Sequence, residues 1–167
     1  WLAKQGLEVT GIELSPLAIE TFFRENNLTF IKKKNPKFEV YICQEISLEI
    51  HCGNLFDFPN QSIQQFHGVY DRASMIALPY EMRKKYQEKL EYLKAGCKIL
   101  LLSMFYQADE ILGPPYSLTN QEIKEHFEAS FKLDLLECKT EEIKSSRLAS
   151  AGAKDAFSAA HLLSKKI

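Results

Sequence analysis

One short run, Leu7-Glu8-Val9-Thr10-Gly11-Ile12-Glu13-Leu14-Ser15, constrains the fold more than any other stretch, because it ends in an acid and passes at once into a helix start. In nucleotide-binding α/β folds a carboxylate at the carboxyl end of the second strand accepts hydrogen bonds from ribose hydroxyls, roughly 20 residues after a glycine-rich turn. Counting back that far from Glu13 passes Trp1. The expectation is a unit whose first strand and glycine loop lie upstream.

The residues after Glu13 alternate between strand and helix patterns. Trp1 to Gly6 reads as the last turn of a helix with a glycine cap, and Ser15-Pro16 as an N-cap followed by a first-turn proline. That helix reaches about Asn26, with Leu17, Ile19, Phe22 and Phe23 on its apolar face. Lys32-Lys33-Lys34-Asn35-Pro36 reads as an exposed, turn-like excursion, and 38–43 as a short strand. Strands follow at 47–52 and 66–72, then a helix over 79–93 with Met82, Tyr86, Leu90 and Leu93 as its buried stripe.

Residues 97–104 form the most apolar run, the pattern of a strand buried on both faces. Residues 105–115 form a loop that leads into Gly113-Pro114-Pro115-Tyr116, and Thr119 with Glu122 makes a capping box for a helix to about Ser130. The stretches 132–138 and 157–163 read as a closing antiparallel hairpin. Alternation of this kind predicts an α/β fold with a doubly wound, mostly parallel sheet.

A chain of 167 residues with 46% hydrophobic and 26% charged residues suits one domain. A net charge of -1 gives no broad attraction to nucleic acid or to an acidic membrane. No apolar run approaches the roughly 20 residues that span a bilayer, and Trp1 onward lacks the basic start of a signal peptide. The simplest location is the cytoplasm. Cys43, Cys52, Cys97 and Cys138 show no C-x-x-C pair and no histidine at zinc-finger spacing, so they read as reduced thiols and no metal site is expected.

Three strand ends carry polar groups in order: Glu13, Gly53-Asn54 and Asp71-Arg72. In an open parallel sheet such ends share one edge, where ligands bind. Each alone suits a solvated loop residue; the ordered set outlines a nucleoside site, with Glu13 on the ribose, Asn54 and the Leu55 backbone at the base, and Asp71-Arg72 near the reacting group.

With these residues in order, the sequence resembles the thiopurine S-methyltransferase family of class I S-adenosylmethionine-dependent methyltransferases over nearly its whole length. The resemblance rests on Trp1-Leu2-Ala3 with Gly6, Val9 to Ser15, Cys52-Gly53-Asn54-Leu55-Phe56, Tyr70-Asp71-Arg72-Ala73 with Ile76-Ala77-Leu78, and Gly113-Pro114-Pro115-Tyr116. It implies a Rossmann-like methyltransferase sheet and a single domain over 1–167. S-adenosylmethionine is the implied cofactor, with Glu13 on its ribose, Asn54 and Leu55 flanking adenine, and Arg72 between cofactor and substrate. Pro115 and Arg147 would line the substrate pocket; for Arg147, a surface residue in a loop is the equal alternative.

The implied reaction is methyl transfer to a small thiol or thiopurine-like acceptor, by a monomer that needs neither nucleic acid nor membrane. Arg72 would favour the thiolate. Asp71 would orient Arg72 or accept a proton, with anchoring of the turn as the preferred role. The chain departs from the family at Tyr106, followed by Gln107 rather than an aspartate, and in lacking an N-terminal segment with the first strand and glycine loop.

That strand would lie at the sheet's centre, between the strands ending at Glu13 and Asp71. Its loss leaves two half-sheets with unpaired edges, so the isolated chain is expected to be poorly stable and to bind S-adenosylmethionine weakly; a clean thermal transition with micromolar binding would refute this. The rival from another class is a non-catalytic binding or regulatory domain on the same sheet. An NAD-type domain shares the Glu13 logic but has no role for Asp-Arg-Ala and Gly-Pro-Pro-Tyr.

Overall fold

Ser15 and Pro16 start the first helix where the sequence puts it: the Ser15 hydroxyl accepts the Ala18 N–H at 3.2 Å, and Pro16 opens α1 (Pro16–Glu25). Before it, a 3-10 turn over Ala3–Gln5 closes on Gly6, whose left-handed backbone (φ 85°) lets its N–H reach Ala3 O. This computed structural model describes residues 1–108, 113–143, 146–150, 152–153 and 155–167, with the backbone alone at 146 and 147. The chain divides into two compact units, Trp1–Pro59 and Asn60–Ile167.

The first unit holds β1 (Val9–Glu13), β2 (Phe30–Lys34), β3 (Glu39–Cys43) and β4 (Leu48–Cys52), ordered β1-β4-β3-β2. The β1–β4 pair is parallel, with Glu13 opposite Cys52; β3 runs antiparallel to both β2 and β4. One sheet face packs on α1 through Ile19, Phe23, Tyr41 and Cys43, each side chain worth on the order of 1.5–3 kcal/mol of burial for the larger three. Leu17 and Phe22 do not join them: they are 70% and 38% exposed, since residues at i and i+4, here Ile19 and Phe23, already fill the stripe α1 turns inward.

The lysine run is a strand and not the loop expected from its charge. Lys32, Lys33 and Lys34 pair with Tyr41, Val40 and Glu39 at the sheet's edge, where charged side chains are tolerated because one side of the strand stays in water. Lys32 lies 4.5 Å from the centre of the Tyr41 ring and 3.0 Å from Glu20, so its charge is matched locally.

The second unit holds α2 (Asn60–Ile63), β5 (Gly68–Arg72), α3 (Ser74–Ala77), α4 (Tyr80–Leu90), β6 (Lys98–Tyr106), α5 (Asn120–Phe127), β7 (Phe131–Glu141), α6 (Ser146–Ser150) and β8 (Ala156–Lys165). Its sheet is ordered β5-β6-β8-β7. β5 and β6 are parallel, with Arg72 opposite Leu102, while β8 runs antiparallel to β6 and β7 and forms with β7 the expected closing hairpin. Each of the two sheets thus holds one parallel pair, β1–β4 or β5–β6, and two antiparallel pairs.

β6 is buried on one face, at Ile99, Leu101 and Ser103, whereas Leu100 and Leu102 are half-buried and Lys98 exposed, so the doubly buried strand expected from its apolar run is not formed. The core of this unit includes Met75, Ile99, Leu101, Ile123, Phe127, Phe131 and Leu163, with Phe127 and Phe131 edge-on at 5.6 Å. The Thr119 capping box is complete: Thr119 Oγ1 accepts the Glu122 N–H, and Glu122 Oε2 accepts the Thr119 N–H, both at 3.0 Å. All four cysteines are free thiols, two of them, Cys43 and Cys97, buried.

Candidate functional site

In the first unit, the ends of β1 and β4 lie side by side. The Gly53 N–H donates to the Glu13 carbonyl oxygen at 2.9 Å, which continues the parallel ladder past Cys52 and seats the Gly53-Asn54-Leu55 loop next to Glu13. Only glycine fits there: a Cβ would lie 2.5 Å from Phe38 Cδ1 and 3.1 Å from Lys37 O. Asn54 then caps the 3-10 turn Leu55–Asp57, its Oδ1 accepting the Phe56 N–H at 3.0 Å. Its side-chain oxygen is thereby engaged, a use the sequence reading missed.

Glu13 is exposed, and its Oε1 accepts the Ser15 N–H at 2.8 Å. No hydrogen bond or ion pair to Oε2 occurs among the described residues. Beside it Leu14 and Leu17 are each 70% exposed, an apolar surface next to a fixed carboxylate. That combination fits a nucleoside, which needs an acceptor for its ribose hydroxyls and an apolar seat for its base.

In the second unit, the two neighbours Asp71 and Arg72 behave oppositely. Asp71 is 1% exposed: its Oδ1 accepts the Ser74 N–H at 2.9 Å and its Oδ2 the Tyr86 O–H at 2.7 Å. Burial pushes the Asp71 carboxyl above its usual range against the lowering pull of those bonds, and burial also pushes the Tyr86 phenol well up. Arg72 is exposed, and Ala73 after it holds a left-handed backbone at φ 75°.

Ala73, Ile76, Ala77, Pro114 and Pro115 line a shallow depression of about 260 Å³ in this unit. Its two walls are tied together. The Tyr116 N–H donates to Ile76 O at 2.6 Å, the Tyr106 O–H donates to Pro115 O at 2.8 Å, and a Cβ on Gly113 would fall on the Tyr116 ring. Buried Arg83 adds bonds to Leu78 O at 3.2 Å, Ser117 O at 3.0 Å and Glu122 Oε1 at 2.9 Å.

Arg83 replaces Met82 in the buried stripe of α4. Its spacing of three and then four residues to Tyr86 and Leu90 was the available signal, masked by its charge. Arg147 lies on α6; its side chain falls outside the described residues, as does the part of the 105–115 loop over 109–112. Among the described residues no three His, Cys, Asp or Glu side chains are grouped to hold a metal ion, and no helix is long and apolar enough to cross a membrane.

A family model described as thiopurine S-methyltransferase matches residues 1–166. The chain belongs to the thiopurine S-methyltransferase family. It is 39% identical over 140 residues to the thiopurine S-methyltransferase of Pseudomonas fluorescens (strain SBW25), covering 83% of this chain and 63% of that protein. With that of Pseudomonas putida (strain GB-1) it shares 41% over 138 residues, 82% of this chain and 62% of the relative. It thus spans less than two thirds of the length of these relatives.

Among solved structures, it is similar in fold to CrArsM, an arsenic (III) S-adenosylmethionine methyltransferase from Chlamydomonas reinhardtii, with TM-score 0.65 and 13% identity over 95% of this chain and 56% of that one. TehB from Haemophilus influenzae gives TM-score 0.61 and 13% identity over 99% and 52%. The family's Rossmann-like methyltransferase fold is the fold of this chain.

Proposed function

We propose that this family member acts as a single methyltransferase domain that transfers a methyl group from S-adenosylmethionine to a small thiol of the thiopurine type. The observation that carries the reading is an exposed cation, Arg72, which makes no ion pair among the described residues and is next in sequence to a depression lined by apolar Ala73, Ile76, Ala77, Pro114 and Pro115. Such a pairing suits a flat apolar ring that bears an anionic sulfur.

When bound, S-adenosylmethionine supplies an electrophilic methyl on its sulfonium. Glu13 accepts hydrogen bonds from the ribose hydroxyls, with Asn54 and Leu55 bordering the base. Arg72 lowers the acceptor thiol's affinity for its proton and holds the thiolate, so that positioning supplies most of the rate. Pro115 and Arg147 line the acceptor's side of the site. Asp71 accepts no proton in this scheme, since both its oxygens are engaged and buried; it anchors the turn. β1 and β5 are each hydrogen-bonded on one side only among the described residues. Four free thiols and a small-molecule substrate suit a monomer in the reducing cytoplasm.

Titration of the chain with S-adenosylhomocysteine, followed by amide NMR, tests the cofactor reading. Shifts at Glu13, Asn54, Leu55 and Arg72 are expected; binding that leaves all four unmoved would overturn the assignment.

A further inference from the structure

Arg72 sits between two fixed points of the backbone. On one side is Asp71, with 1% exposure, whose carboxylate joins β5 to α3 through the Ser74 N–H and to α4 through the Tyr86 hydroxyl. On the other is Ala73 at φ 75°, a left-handed conformation that costs a residue with a Cβ on the order of 1 kcal/mol, held by the Ala77 N–H on its carbonyl at 3.0 Å. Arg72 itself is paired with Leu102. Its Cα–Cβ bond is therefore aimed by its neighbours, while its guanidinium stays exposed.

Tyr86 is 4% exposed and comes from a helix that contributes nothing else to Asp71 among the described hydrogen bonds. Packing alone would be served by phenylalanine, which fills nearly the same volume without burying a hydroxyl. The hydroxyl serves the carboxylate: a buried acid with one donor fewer takes up a proton more readily, and the neutral carboxyl is a weaker acceptor for the Ser74 N–H.

We propose that Tyr86 is a positioning residue for Arg72 that acts through Asp71, holding the Asp71-Arg72-Ala73 turn in the one shape that aims the guanidinium. This rests on the reading of Arg72 as the residue that meets the acceptor. Tyr86 touches neither cofactor nor acceptor in this scheme. It closes a relay from α4 to β5 that fixes a charge at the strand's end.

The test uses the full chain as wild type, Tyr86→Phe and Asp71→Asn, followed by NMR from pH 4 to 8. The Ser74 amide proton reports the ionisation of Asp71, and the Arg72 amide and guanidinium carbon report the turn. In the wild type, the Arg72 and Ser74 signals are expected to titrate with one midpoint. Tyr86→Phe is expected to raise that midpoint by about one pH unit, a tenfold change in proton affinity, and to shift or broaden Arg72 while Arg24 is unchanged. Asp71→Asn removes the titration at both positions, which decides the matter even where Tyr86→Phe does not fold.

Arg72 signals that ignore the Ser74 titration, or that superimpose in wild type and Tyr86→Phe, would overturn the proposal. Affinity for S-adenosylhomocysteine is read on the same samples and is expected to fall at least fivefold in Tyr86→Phe. A wild-type chain that binds none of it counts against the functional reading, and the two NMR arms still decide the role of Tyr86.

Discussion

The Arg83 guanidinium meets the Glu122 carboxylate at 2.9 Å across 39 residues of chain, and the same guanidinium holds Leu78 O and Ser117 O. One side chain thus links the residue after α3, the residue after the Gly-Pro-Pro-Tyr segment and the capping box of α5. Arg83→Met leaves two carbonyls and a carboxylate without their donor. A loss of about 3 kcal/mol in urea unfolding is expected, because breaking a buried pair costs more than the pair contributes. Glu122→Gln, at a side chain 24% exposed, should lose about 1 kcal/mol.

Gly53→Ala tests the close approach of β4's end to Phe38. A Cβ 2.5 Å from the ring forces the ring or the loop to move, and overpacking of this kind costs typically about 1–3 kcal/mol. A lower melting temperature with displaced Asn54 and Leu55 amide signals is expected.

His161 makes stability depend on acid. It is 4% exposed; Nε2 meets Asn120 Oδ1 at 3.0 Å, and Nδ1 is buried without a partner among the described residues. Burial alone holds its pKa below the ordinary value of 6.5, so the folded chain binds this proton less well than the unfolded chain does. Its contribution is fully present above about pH 6.5 and is lost as the pH falls below that value toward the depressed folded pKa. Urea midpoints at pH 7 and pH 5 should differ more for the wild type than for His161→Leu.

The cofactor contact is tested at Glu13, which is exposed and whose side chain makes one hydrogen bond among the described residues, from the Ser15 N–H. Glu13→Ala should change stability by less than about 0.5 kcal/mol. It should weaken S-adenosylhomocysteine at least tenfold by calorimetry, about 1.4 kcal/mol. Equal affinities would remove Glu13 from the site.

Local chemistry made much of this legible. Ser15-Pro16, Gly6 and the Thr119–Glu122 box act over four residues or fewer, and each forms as the sequence implies. Glu13 beside Gly53 followed from strand ends sharing an edge. What escaped depends on partners distant in sequence. The lysine run is a strand because β3 pairs with it, and Arg83 is buried because Ser117 and Glu122 receive it. The shallow pocket needed Pro114 and Pro115 to meet α3, which no spacing in the sequence states.

The most direct measurement is transfer of a labelled methyl group from S-adenosylmethionine to a panel of aromatic and aliphatic thiols. It is made with the chain and with the chain supplied with the part of the Pseudomonas fluorescens relative that it does not span. Labelled thioether from at least one aromatic thiol, lost in Arg72→Ala, is expected. Cofactor bound with no product from any thiol would contradict methyl transfer to sulfur.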